Sequence, residues 1–558
     1  MSAASGPLAS AWQALPGATR ARLLLGSTGP LHLCEAALAA LGGNAALSEP
    51  QARACADILL CACAESPLDG RLAREVLDSG LAALFPKPGR AAIEASAALW
   101  RQPGDTSALE AVIERRDPPQ LMALIEARIK DEPGNLFWRQ QAAAVGLFEG
   151  DFAWTAARLD LPESSALTPS LAALRGQISL LSGDPEQAFV RFCETARAFG
   201  PSFALSRQGL ARLAAGERDA ALPLLLASLT AGPWQSSAAL VAFDILSGRD
   251  RETAPLPGRT ALLLYSWNKA RELDATLASL FASRIEVCTV FALNNGSTDA
   301  TARVLADWAG RFGPQRLVRI DLPVNVGAPA ARNWLLRLPE VAAFDFCAFL
   351  DDDILLPEDW LLRLGACLRH HPGAGVVGCK VVDHSQPARL QCVDLHLTVP
   401  DGTEDQNPEP NLDRLAPNPF RFSNLHNQSL DCGLFSYARP CASVIGCCHL
   451  FCTETLLASG DFAISLSPSQ GDDVEHDLRL AAAGRFAAYT GHLTVAHKRK
   501  TGAASRVLRP EEANSLGNRY KMQIMHPAGE IRASLRAERA LLEADLSAKL
   551  AGLDAART

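Results

Sequence analysis

The sequence contains no window of 18 or more uncharged apolar residues, and Met1 to Pro30 lacks a basic start followed by a long apolar stretch. Both absences argue against a membrane span and a secretory leader, and the resulting expectation is a cytoplasmic protein. Clustered positive charge is also scarce. The longest basic stretch is His497-Lys498-Arg499-Lys500, and the formal net charge is -8. Such a chain offers no phosphate-tracking stripe, so nucleic acid is not an expected partner. No Cys-x-x-Cys pair occurs among the fifteen cysteines, and an odd number scattered over a long chain makes a poor disulfide framework. The dense run of Cys432, Cys441, Cys447, Cys448 and Cys452 around His449 fits no common zinc knuckle and reads as small fillers of core strands.

What the chain does have is length and apolar content. Its 558 residues exceed what one core usually organises, and a hydrophobic fraction of 48% supplies two or three domains. Up to about residue 255 the texture is Ala- and Leu-rich with helical spacing. Gly150, Gly183, Gly216 and Gly248 recur every 32 or 33 residues in similar surroundings, and Pro169, Pro201 and Pro233 recur every 32. Over roughly Glu132 to Asp250 this resembles tetratricopeptide repeats, without much of their aromatic pattern. That resemblance implies stacked helical pairs with a concave face for a peptide or protein partner, or alternatively a packing or dimerisation module. Residues 1–131 are expected to be further helical solenoid or a cap, and 132–255 the repeats.

After a Pro/Gly linker, Arg249 to Gly258, apolar runs alternate with helical stretches. Strands are expected at Thr260 to Tyr265, Glu286 to Leu293, Leu317 to Leu322 and Phe344 to Leu350, giving a mainly parallel sheet flanked by helices. Polar turns follow each run: Ser266-Trp267-Asn268-Lys269, then Asn294-Asn295-Gly296-Ser297-Thr298-Asp299, then Asn325 to Asn333, then Asp351-Asp352-Asp353. Ligands of such sheets sit at the carboxyl ends of the strands, which is where these turns fall. Three successive carboxylates repel one another unless a cation is present, and alternation along an extended chain lets Asp351 and Asp353 face one ion. The same acids also read as a solvated turn before a helix that starts near Pro357.

The order of these motifs resembles that of family 2 glycosyltransferases of the GT-A fold: an aromatic-Asn pair, a GSTD turn, N-x-G-x-x-x-A-R-N, then D-x-D. The resemblance covers Thr260 to about Thr501. It implies a GT-A nucleotide-sugar domain over 256–505, a helical tail over 506–558, and inverting sugar transfer of a hexosyltransferase kind. By the same resemblance Ser266, Asn268, Asn294 and Asn295 would line the base and ribose pocket. Arg332 would lie beside the diphosphate, and Asp351 and Asp353 would serve ribose and metal. Gly471 to Leu480 resembles the family's E-D-x-D-x-x-x-R helix, whose second acid is the general base, and the match falls on Asp473. Asp472 and Asp473 also read as dipole compensation in a first helical turn. His497 aligns with a histidine that often completes the metal site, and also reads as a structural residue ending a strand. Imidazole with carboxylates suits Mn²⁺, whereas Mg²⁺ prefers more oxygen.

The family usually has an acid just before GSTD, where this chain has Asn294 and Asn295. An amide does not demand the imide N–H of uracil, so UDP is only a default donor nucleotide. The fused solenoid suggests a protein or glycan acceptor. The Pro-rich stretch between Val382 and Cys441 reads as a lid over the sheet's mouth or as a plain insertion. Two rivals remain. One is a scaffold protein whose nucleotide-sugar domain is inert; the other is a nucleotidyltransferase, for which Ser266 to Lys269 supplies no Gly-rich basic signature.

Overall fold

The computed structural model describes residues 6–42, 46–161, 165–399, 420–499 and 509–557. Pro408, Pro410, Pro417 and Pro419 of the insertion, and Lys500, lie outside the described residues. The chain divides into two compact units. One holds residues 1–247, 425–435 and 546–558; the other holds 248–424 and 436–545.

The first unit is all-helical. Its glycine period has a structural cause, since Gly150, Gly183, Gly216 and Gly248 all adopt positive φ of 78° to 84°. That left-handed conformation suits glycine and ends one helix so that the next can turn back. Asp151 and Asp184, each one residue past such a glycine, cap the following helix by accepting from Trp154 and Gln187 backbone N–H groups. The proline period marks the opposite junctions. Gly200, at φ 84° and ψ 161°, breaks the helical run Pro185–Ala214 just before Pro201. A helical repeat therefore describes this region.

Residues 425–435, although distant in sequence, belong to this helical unit. Gln428 Oε1 accepts from His32 N at 3.2 Å, Ser429 Oγ lies 3.3 Å from Thr28 Oγ1, and Leu425, Leu434 and Phe435 are buried. The carboxylate of Asp554 accepts from Leu8 N and Ala9 N, so the C-terminal end of the chain caps its first helix.

The second unit is a mixed α/β sheet domain. Its strands are β1 (Thr260–Ser266), β2 (Cys288–Asn295), β3 (Leu317–Leu322), β4 (Phe346–Leu350), β5 (Ile354–Leu355), β6 (Val377–Asp383), β7 (Leu390–Cys392), β8 (Leu397–Thr398), β9 (Arg421–Phe422), β10 (Ala438–Cys441), β11 (Cys448–Cys452) and β12 (Ala487–His497). The order in the main sheet is β10-β12-β6-β11-β4-β1-β2-β3, with β5 added on β12 and β7 on β6. β3, β2, β1 and β4 run parallel, as their helical crossovers require, and β11 pairs antiparallel with both β4 and β6. Leu262, Leu264, Val290, Ala292, Ala348 and Leu350 fill the core together with Leu273, Leu277 and Trp308 from the flanking helices. Among the described residues no helix is long and apolar enough to cross a membrane.

The acid triplet does not cap the next helix. The short strand β5 separates it from that helix, which runs over Trp360–His370. Of the cysteine-rich run, Cys441, Cys447, Cys448 and Cys452 lie on or between β10 and β11, the first three buried, whereas Cys432 fills no core strand and sits in the 425–435 segment of the helical unit; all fifteen cysteines are free thiols.

Candidate active site

The parallel arrangement brings the ends of β1, β2, β3 and β4 to one edge of the sheet, and β5 supplies the link to β12. Ile354 pairs with His497 across the β5–β12 ladder. That register sets His497 Nε2 2.9 Å from Asp353 Oδ1, while Gln391 Oε1 sits 2.8 Å from His497 Nδ1 and orients the ring. Asp351, Asp353 and His497 each present a ligand atom within 4.8 Å of the others, and among the described residues this is the group of His, Cys, Asp or Glu that can hold a metal ion. Two ligands on opposite sides of a small divalent ion stand about 4–4.5 Å apart, so only a small closing movement is needed. Two carboxylates and an imidazole fit such an ion chemically.

The three acids differ in environment. Asp352 and Asp353 are buried, whereas Asp351 is half-buried. Burial pushes Asp351 up to about 6, with Arg332 opposing the rise. Asp353 is held well below the carboxylate range: burial works against its charge, but the hydrogen bond and charge of His497 and the ammonium of Lys269 prevail. Lys269 Nζ donates to Asp352 Oδ1 at 3.0 Å and to Asp353 Oδ2 at 2.7 Å. Asp352 and Asp353 thus share one lysine, and the triplet lies in the turn between β4 and β5 rather than on an extended strand.

Arg332 joins the acid triplet to a second acidic segment. It projects from the helix Ala328–Leu336, which begins after Gly327 at φ 84°. Its Nη2 lies 3.8 Å from Asp351 Oδ1, and its Nη1 makes a 3.0 Å ion pair with Asp472 Oδ2. Asp472 opens the helix Asp472–Ala482 and is buried against this guanidinium. Asp473, half-buried, keeps a more open position. Its Oδ2 accepts from Gly446 N at 2.7 Å and its Oδ1 from Val474 N at 2.9 Å. Each oxygen retains a lone pair, so the carboxylate can still take a proton. Gly446 is a requirement of this packing: a Cβ there would stand 2.4 Å from Asp473 Oδ2 and 2.9 Å from Arg332 Nη2. Asp351, Arg332 and Asp473 thus face one constellation.

The other expected binding residues are placed as follows. Ser266 is buried at the end of β1. Asn268 adopts φ 53°, and its Oδ1 accepts from Thr298 N at 2.7 Å, which locks the GSTD turn against the end of β1. Asn294 Nδ2 donates to Asp321 Oδ1, and Asn295 Nδ2 donates to Asn325 Oδ1, both at 2.9 Å. Their carbonyl oxygens accept from Ser297 N and Val326 N. Both amides tie neighbouring turns together, leaving one N–H on each for other partners. Arg332 is similarly committed inside the protein. Lys269, Asp472, Gln391 and Gly446 are participants that the motif comparison did not single out. Lys269 and Asp472 stand inside noted motifs; Gln391 and Gly446 meet the site through long-range packing.

Residues 263–433 match the model of Glycosyl transferase family 2. This domain is a family 2 glycosyltransferase domain. The match ends before Asp473, in the first turn of the helix Asp472–Ala482, and before His497, at the end of β12. Comparison with curated proteins finds no match. Among solved structures, GalNAc-T7 with UDP, GalNAc and Mn²⁺ aligns at TM-score 0.35 and 10% identity, over 48% of this chain and 49% of that one. The mannosyltransferase PcManGT from Pyrobaculum calidifontis, in complex with GDP-Man and Mn²⁺, aligns at TM-score 0.36 and 18% identity, over 60% of this chain and 86% of that one. The chain thus spans about half the length of the GalNAc-T7 structure.

Proposed function

We propose that the family 2 domain is a metal-dependent, inverting glycosyltransferase that moves a sugar from a nucleotide-sugar to a protein or glycan acceptor. The observation that carries this reading is the convergence of Asp351, Asp353 and His497 on one possible ion position, with Arg332 linking Asp351 to the helix start that bears Asp473. A divalent ion held by those three residues would neutralise the diphosphate of the leaving nucleotide. Asp473 removes the acceptor hydroxyl proton, because a sugar or protein hydroxyl is a poor nucleophile until a positioned base takes that proton. Asp472 balances Arg332 and leaves Asp473 as the available base. Ser266, Asn268, Asn294 and Asn295 border the base and ribose side, with UDP as the default nucleotide. The helical unit serves as the docking module for a protein partner or acceptor.

Two variants separate binding from chemistry. Asp473→Asn keeps nucleotide binding, measured by calorimetry, and loses transfer by about a hundredfold or more. Asp353→Ala loses metal-dependent nucleotide binding itself. Substantial turnover in Asp473→Asn would remove that residue from the role of base.

A further inference from the structure

The acid triplet already has a cation of this chain resting on it. Lys269, just beyond the end of β1, places its ammonium 3.0 Å from Asp352 Oδ1 and 2.7 Å from Asp353 Oδ2. The other oxygen of Asp353 faces His497 Nε2 at 2.9 Å. Both oxygens of Asp353 therefore have partners within the protein, and one of those pairs joins two of the three residues that could hold a metal. Buried carboxylates side by side need positive charge, and Asp352 and Asp353 are only 7% and 3% exposed.

The two nearby cations differ in freedom. Arg332 is enclosed, with a side chain 6% exposed and an ion pair to Asp472. The Lys269 side chain is 38% exposed, so its ammonium has a path to solvent on a flexible stem. An ion taken up by Asp351, Asp353 and His497 would meet the Lys269 ammonium across a single carboxylate. Like charges at that separation, poorly screened, oppose each other strongly.

We propose that Lys269 is a built-in competitor of the divalent ion for Asp353, which pairs the acids while the site is empty and is drawn off them when an anionic diphosphate arrives. This rests on the metal-dependent transferase reading above. Its consequence is that ion and nucleotide bind as a set: each favours the other because the diphosphate gives the displaced ammonium a new partner, and such coupling is reciprocal. Lys269 is a positioning residue in this scheme.

The test is Mn²⁺ titration of the full chain, followed by the electron paramagnetic resonance signal of free Mn²⁺, without any sugar donor. Lys269→Met is expected to bind Mn²⁺ about tenfold or more tightly than the wild type, and Lys269→Arg to stay near the wild type. Unchanged or weaker binding by Lys269→Met overturns the proposal. Should Lys269→Met be unstable, Mn²⁺ should restore its melting temperature, because the ion replaces the lost ammonium; an instability that Mn²⁺ leaves untouched overturns the proposal as well. Absence of Mn²⁺ binding in every variant overturns the metal-dependent reading together with this one. Binding that is present and equal in wild type and Lys269→Met overturns this one alone.

Discussion

Individual residues in this chain are constrained by what sits against them. Gly446 leaves no room for a methyl group beside Asp473, so Gly446→Ala should displace the carboxylate and lower donor turnover by about a hundredfold, while circular dichroism shows the fold retained. In the helical unit, Asp57 accepts from Ser202 Oγ at 2.8 Å and Trp234 Nε1 at 2.6 Å. Burial nevertheless pushes it up to about 6, against those hydrogen bonds. Between roughly pH 4 and 6 the folded chain holds a proton that the unfolded chain has released, so stability falls as pH rises through that window and levels off above it. Asp57→Asn can donate to Ser202 and accept from Trp234, and should raise stability above pH 6 by about 2 kcal/mol while flattening that slope in pH-dependent melting. Residues of the first kind were only half legible in the sequence. Asp351, Asp353, Asp473 and His497 stood in motifs, but nothing local marks Gly446 or Gln391, whose partners lie 27 and 106 residues away.

At the scale of elements, alternating apolar runs and helical stretches were sufficient to place the four parallel strands to within about two residues, because buried parallel strands read as continuous apolar runs. The pairing of β5 with β12 was not readable. Two residues, Ile354 and Leu355, carry too little pattern to declare a strand, and the helix expected from Pro357 starts at Trp360 after a turn at Glu358 and Asp359. That small strand brings His497 to Asp353. The C-terminal helix Ala528–Ala555 shows the same limit: its helical character was visible, but not its ionic contact. Glu538 meets His396 Nδ1 at 2.7 Å, and His396 Nε2 lies 3.0 Å from Asp394 Oδ2, which also pairs with Arg439 and accepts from Tyr437. All five side chains are buried. Asp394→Ala should leave Arg439 and His396 without their shared carboxylate and cost about 3–5 kcal/mol, read as a lowered denaturation midpoint.

For the whole molecule, the sequence period of 32 or 33 residues foretold a helical repeat because a left-handed glycine is needed at each turn. It did not foretell that residues 425–435, a part of the long insertion, belong to the helical unit. Insertion residues carry no repeat signal, and only tertiary contacts assign them. The helical unit is thus completed by the chain's own residues, and the sheet domain carries the family 2 match and the acid–histidine cluster. The most direct measurement is release of nucleoside diphosphate from a panel of UDP- and GDP-sugars incubated with the full chain, with Mn²⁺ and with excess chelator. Hydrolysis of at least one donor is expected to require the ion and to disappear in Asp473→Asn. Hydrolysis that persists unchanged in chelator, or in Asp473→Asn, would contradict the proposed mechanism.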